Sequence, residues 1–294
     1  MKPPPFEYAA PTTLEDALAL LREHGGDAKV LAGGQSLVPL LNMRLARPAV
    51  IVDLNRLPGL DYVRQVDGWL AIGAMTRQRA IERSDLARER QPLLHAATRL
   101  IAHPQIRNRG TVGGSLAHAD PAAEYPAVAL ALDAELRVAG PAGERAIPAR
   151  NFFQTYLTTA LDVTEIVTEV RFPTLPQGAG WSFLELSRRH GDFALAGAAV
   201  TLSLSSSGML DGARIALFGV GATPLRATAA EALLTGETPG DALFTHAAQA
   251  ARDAVEEPLS DVHASAEYRR HLAGVLTRRA LTEAAARARG GRAA

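Results

Sequence analysis

Hydrophobic positions along the chain fall into runs of different period. In LEDALALLRE (residues 14–23) the apolar residues recur every three to four positions, which predicts a helix with one apolar face. Thr12 and Thr13 stand just before Glu15 and Asp16, the chemistry of a helix N-terminus, and HGGD at 24–27 ends the run. KVLAG (29–33) and AVIVDL (49–54) are too short for helices and read as strands, the second one buried. Between them LVPLLNMRLA (37–46) predicts a helix that tolerates Pro39 only in its first turn and is closed by Pro48. Residues 1–57 therefore form a βαβ-like segment.

The period then changes. In LDYVRQVDGWLAIGAMT (60–76) two alternating runs flank Asp67 and Gly68, a strong hairpin signal. Helices are expected near 76–83 and 91–101. A polar, glycine-rich stretch at 106–126, IRNRGTVGGSLAHADPAAEYP, breaks the pattern. A short helix near 125–132, the strand AELRVAG, a turn at Pro141 and Gly143, another strand and the strand EIVTEVRFP complete a second, α+β segment, 58–175. The third, 176–294, opens on WSFLELSRR and continues as a three-stranded meander through ALAGAAVTLSLSSSGMLDGARIALFGVG. Helices near 226–234, 240–256 and 263–288 follow, and the final RARGGRAA is expected to fray.

Length agrees with several units, because 294 residues exceed what one core usually serves. A composition of 47% hydrophobic and 21% charged residues is that of a globular protein. Formal net charge is zero and no basic block is interleaved with aromatics, which speaks against nucleic acid as a partner. No apolar run reaches membrane-spanning length, and the proline-broken start lacks the apolar core of a signal peptide, so a cytoplasmic chain is expected. Cysteine is absent. That excludes disulfides, thiolate zinc, a cysteine nucleophile and an iron–sulfur cluster of the chain's own. Redox chemistry would need an organic cofactor or a partner.

Two stretches can carry chemistry. In LAGGQS, a glycine pair follows a strand and precedes a helix. Gly33 and Gly34 let the backbone approach a ligand, and consecutive N–H groups ahead of a helix form an anion cradle, with Gln35 and Ser36 as side-chain partners. A plain β–α corner is the competing reading. Neither the GxxxxGK[ST] of a P-loop nor GxGxxG is present. The second stretch, GTVGGSLAHAD (110–120), has three glycines within five residues, and acids follow at Asp120 and Glu124. Two such turns could clamp the two phosphates of a dinucleotide, with a carboxylate beyond them on a ribose or ribityl hydroxyl. Ser36 and Ser115 lie in no GxSxG, and His95, His103 and His118 have no ligand spacing, so a hydrolase triad and a zinc site are not expected.

Together LAGGQS and RNRGTVGGSLAHADPAAEYP resemble the FAD-binding subunit of the molybdenum hydroxylases, nearest in type to the medium subunit of carbon monoxide dehydrogenase. The same unit forms the middle portion of xanthine dehydrogenase. The family carries AGG-[HQ]-S and T-[IV]-GG, here 32–36 and 111–114, and the resemblance extends through EIVTEVRFP and SRRHGDFALAG over nearly the whole chain. It implies an α+β protein: a two-subdomain vanillyl-alcohol-oxidase-like (PCMH-type) FAD-binding fold plus a C-terminal domain like that of CO dehydrogenase flavoproteins. It also implies FAD extended between the subdomains. In the turn that begins at Ala32, itself a cofactor-binding residue, its pyrophosphate would rest on the backbone of Gly33, Gly34, Gln35 and Ser36, with Thr111, Gly113, Gly114 and Ser115 opposite. Lys29, Val30 and Leu31 would flank the adenosine half and Val167 the adenine. Ile101 and Ala102 would line the isoalloxazine, and Glu124, with Asp120 in competition, would hold a flavin-chain hydroxyl. Phe193 matches an aromatic beside the flavin ring where many relatives have tyrosine; a core position is its competing reading. Leu184 stands where xanthine dehydrogenase has a lysine.

The implied role is an electron-transfer subunit without catalytic acid or base. It would work in a dimer of heterotrimers with a large molybdopterin-containing subunit and a small [2Fe–2S] subunit, and pass electrons to an external acceptor. The implied location is cytoplasmic, or peripheral to the inner face of the membrane. A stand-alone FAD oxidoreductase of the same fold and a non-redox nucleotide-binding module are the alternatives.

Overall fold

The computed structural model describes residues 2–290 of the chain. Its first unit comprises β1 (Glu7–Ala9), α1 (Leu14–His24), β2 (Ala28–Leu31), α2 (Leu37–Asn42) and β3 (Val50–Asp53). The three strands form a parallel sheet in the order β1-β3-β2. The helix predicted over 14–23 is there, capped by the Thr13 hydroxyl accepting from the Asp16 N–H at 3.1 Å and ended at Gly25. Two expectations need correction. β1 is an extra strand, three residues long between Pro5 and Pro11, too short to show a period. The helix expected over 37–46 stops at Asn42, because Arg44 turns left-handed, at φ 58°.

The second unit begins with β4 (Val63–Val66) and β5 (Trp69–Gly73). The hairpin between them has positive φ at both Asp67 (47°) and Gly68 (81°), the twist-compatible turn that the Asp-Gly pair predicts. Six short helices follow: α3 (Gln78–Arg83), α4 (Asp85–Arg90), α5 (Pro92–Thr98), α6 (Pro104–Arg107), α7 (Val112–His118) and α8 (Glu124–Ala131). Then come β6 (Glu135–Gly140), β7 (Gly143–Pro148), the ribbon β8 (Phe153–Thr155) and β9 (Thr158–Thr159), and β10 (Ile166–Pro173). The sheet runs β4-β5-β10-β6-β7. The glycine-rich break is thus mostly helix. Thr111 caps α7 by accepting from the Gly114 N–H at 3.1 Å, which overrides the poor helix propensity of the glycine pair.

The third unit is β11 (Gly180–Ser187), β12 (Ala194–Leu204), β13 (Leu210–Phe218) and β14 (Leu225–Arg226), then α9 (Thr228–Leu234), α10 (Asp241–Asp253) and α11 (Ala266–Ala288). The meander is antiparallel and acquires β14 as a fourth, two-residue strand. Both its faces are buried. On β13, Ile215 and Leu217 pack into the core shared with α9, α10 and α11, while Ala216 and Phe218 join the core of the second unit. That alternation explains why these strands read as nearly continuous apolar runs. The tail expected to fray is helical as far as Ala288; residues 291–294 lie outside the described residues. No helix among the described residues is long and apolar enough to cross a membrane.

Candidate functional site

A cavity of about 860 Å³ runs between the first unit, the glycine-rich helices and the end of β10. Of the residues singled out in the sequence, Lys29, Val30, Ala32, Gly33, Gly34, Gln35, Ser36, Ile101, Ala102, Thr111, Gly113, Gly114, Ser115, Asp120, Glu124, Val167 and Phe193 all line it. Leu31 does not. It lines an adjoining cavity of about 370 Å³ that shares Ala32, Gly33, Gly34 and Gln35 with the larger one.

The segment between β2 and α2 is held in shape from both ends. Gly34 has φ 74°, a left-handed turn that glycine adopts without penalty. At Gly33 a Cβ would lie 2.4 Å from the carbonyl oxygen of Arg109, so glycine there lets the two motifs touch backbone to backbone. The Gln35 side-chain amide donates to the Gly33 carbonyl at 2.9 Å. Among the described residues, no protein acceptor takes the N–H groups of Gly33, Gly34, Gln35 or Ser36. Four consecutive donors without a protein acceptor, on residues that line a cavity, could cradle an anion.

The second motif differs from the first. Its N–H groups are already used: Val112 donates to the Thr76 carbonyl at 3.0 Å, Gly113 to Ala74 at 2.9 Å, Gly114 to the Thr111 hydroxyl at 3.1 Å and Ser115 to the Thr111 carbonyl at 3.1 Å. The pictured clamp of two turns is therefore asymmetric. One side offers free N–H groups; the other is a docked helix start that shapes the wall.

Asn55 and Arg77, which the sequence reading missed, join the two motifs. Asn55 Nδ2 donates to the Ala32 carbonyl at 2.9 Å and to Asp53 Oδ1 at 2.5 Å. Arg77 Nη2 donates to Asn55 Oδ1 at 2.6 Å, and its Nη1 donates to the Arg109 carbonyl. Tyr8 OH donates to Asp53 Oδ2 at 2.5 Å. No sequence signal marks these residues, because apart from the Asn55–Asp53 bond their partners lie 22 to 45 positions away.

The acids separate by environment. Asp120 is half-buried and its Oδ1 accepts from the Ala122 N–H at 2.9 Å, holding a turn. Glu124 opens α8, is 7% exposed, and its carboxyl is pushed up to about 8, first by burial and then by the nearby Glu185. Burial raises Glu185 to about 7, and its Oε2 has no hydrogen-bond partner. Burial thus favours the protonated form of Glu124, which lines the cavity. Phe193 is 66% exposed, so it is no core residue; it sits at the cavity's rim with Gly191 and Asp192. His103, Ile106, Gln78, residues 157–159 and residues 161–163 also line it and were not anticipated. Gln78 brings a buried Oε1 that has no partner.

The donor set suits a dinucleotide. The N–H groups could hold a phosphate, Lys29 could add a cation, Glu124 could bond a hydroxyl, and Val30, Ile101 and Val167 give apolar surface for rings.

Comparison with known proteins gives a consistent result. Residues 4–175 match the family described as the FAD binding domain in molybdopterin dehydrogenase, and residues 181–284 the CO dehydrogenase flavoprotein C-terminal domain. The chain is 46% identical to the 6-hydroxypseudooxynicotine dehydrogenase complex subunit alpha of Paenarthrobacter nicotinovorans, over 98% of this chain and 97% of that one. It is 41% identical to the carbon monoxide dehydrogenase medium chain of Hydrogenophaga pseudoflava, over 98% and 99%. A solved structure of carbon monoxide dehydrogenase from Hydrogenophaga pseudoflava, in a form lacking the Mo-pyranopterin moiety, superposes with a TM-score of 0.95 at 43% identity, covering 98% of this chain and 99% of that one.

Proposed function

The chain belongs to the FAD-binding medium subunits of molybdenum hydroxylases of the carbon monoxide dehydrogenase type, and from that premise we propose that it is the electron-transfer subunit of a three-part complex. A large molybdopterin-containing subunit oxidises the substrate, and a small subunit carries the [2Fe–2S] clusters that deliver electrons here. This chain relays them to an external acceptor, and two such heterotrimers pair. FAD, held by the residues of this cavity, would supply the redox chemistry.

The chain's own residues bind and orient. The N–H groups of Gly33 to Ser36 hold the pyrophosphate, with Lys29 adding charge. Thr111, Gly113, Gly114 and Ser115 form the opposing wall. Glu124, protonated, donates to a hydroxyl of the flavin chain. Val30 and Val167 flank the adenosine half, Ile101 and Ala102 the ring, and Phe193 shields the ring's edge from water. No acid–base pair for a substrate is needed in this scheme. The observation that carries the reading is the run of four N–H groups without a protein acceptor, among the described residues, on residues that line a cavity of about 860 Å³.

Substrate choice resides in another subunit. Relatives at 46% and 41% identity are named for a nicotine derivative and for carbon monoxide, two substrates with no shared shape. The test is turnover. The full chain with FAD, free of molybdenum and iron, should oxidise no physiological substrate, whereas the complex isolated through it should. Turnover by the chain alone at about 1 per second or faster would replace this reading with the stand-alone oxidoreductase.

A further inference from the structure

The corner of the cavity at Ile101 and Ala102 is held by two charged residues that do not themselves line it. Ala102 has φ 41°, a left-handed conformation that residues with a Cβ rarely adopt, so something must hold it. Arg107, at the end of α6, donates from Nη1 to the Ile101 carbonyl at 2.7 Å and to the Ala102 carbonyl at 3.2 Å. The other edge of the same guanidinium grips Glu82 on α3, Nε to Oε2 at 3.0 Å and Nη2 to Oε1 at 3.1 Å. Arg107 is 6% exposed, and neither Arg107 nor Glu82 reaches the cavity. Arg79 also donates to Glu82 Oε2, at 2.7 Å. Burial alone would raise the Glu82 carboxyl, yet the hydrogen bonds from Arg107 and Arg79 outweigh it and hold the group below the ordinary carboxylate range.

A planar fork can satisfy two carbonyls on one side and a carboxylate on the other; an ammonium cannot span both. Both carbonyls belong to a strained corner, and the carboxylate is anchored in a separate helix. We propose that Arg107 and Glu82 are positioning residues that fix the Ile101–Ala102 corner, and through it set the affinity and electronic environment of the flavin ring without touching it. The inference rests on the assignment of FAD to this cavity.

The test uses complex isolated through the full chain, stripped of flavin and titrated with FAD. Binding and the shape of the bound flavin's absorption band are read for wild type, Glu82→Gln, Arg107→Lys and Leu281→Ala. Leu281 is fully buried in the core of the third unit, away from the corner, so its variant reports what general destabilisation does. Glu82→Gln should weaken FAD binding about tenfold, the order expected for losing one charge-assisted hydrogen bond, and alter the band. Arg107→Lys should alter it in the same way, and Leu281→Ala should leave both readings at wild type. Unchanged affinity and band in Glu82→Gln would overturn the proposal while leaving the FAD assignment intact. Equal changes in Leu281→Ala would overturn it too, as a purely structural effect. If wild-type complex takes up no FAD, the assignment itself fails and the proposal with it.

Discussion

Single residues in this site do two jobs, and the glycines show it. Gly33 is required because its neighbour is the backbone of Arg109, and Gly34 because its φ is 74°. Gly33→Ala should therefore pry the two motifs apart at a cost of about 1–3 kcal/mol, lowering the melting temperature even without ligand. Gly34→Ala should cost roughly 1–2 kcal/mol from the left-handed backbone alone. Thermal melting of the flavin-free variants checks both; wild-type stability in either would mean the turn is looser than described. Glu124 gives a prediction in pH. Its folded value near 8 lies above the ordinary 4.5, so its contribution to stability is full below about 4.5 and is lost as pH rises toward 8. Glu185 acts the same way up to about 7. The flavin-free chain should thus lose melting temperature from pH 5 to 8, and Glu124→Gln should abolish the part of the fall between 7 and 8. An equal slope there in both proteins would show that Glu124 does not hold its proton.

At the scale of elements, tertiary contacts decide what periodicity cannot. The hairpin at Asp67 and Gly68, the cap at Thr13 and the long C-terminal helix were legible because each rests on local chemistry. α7 was not, since a glycine pair argues against a helix; it exists because Thr111 caps it and Gly113 docks on the Ala74 carbonyl. β1 escaped notice because three residues hold no period, and its pairing with β3 lies more than 40 positions away. The same distinction applies to the site. LAGGQS and GTVGGS both border the cavity, but Asn55, Arg77 and Arg107 take partners 22 to 25 positions away, at Ala32, Asn55 and Glu82, and no spacing rule finds them. Removing the α7 cap tests this view. Thr111→Ala should cost about 1 kcal/mol and weaken FAD binding, because the helix start is also the wall. Hydrogen exchange across 111–118 would check it, with faster exchange expected and unchanged protection telling against it.

Across the whole molecule, the third unit packs directly against the second. Phe183 and Phe218 stack at 5.2 Å inside the core shared with the second unit. Arg226 on β14 donates to the Leu130 carbonyl at 3.1 Å and to Asp133 Oδ1 at 3.0 Å, beyond the end of α8. The second and third units thus share a core beside the larger cavity, and the proposed relay role rests on the family to which the chain belongs. The most direct test of that claim is the cofactor content of the complex isolated through this chain, with its polypeptides then separated. The account predicts one FAD for each copy of this chain, retained by it or restored to it on re-addition, with molybdenum and iron in the other polypeptides. A complex without flavin, or one whose flavin belongs to another polypeptide, would contradict it.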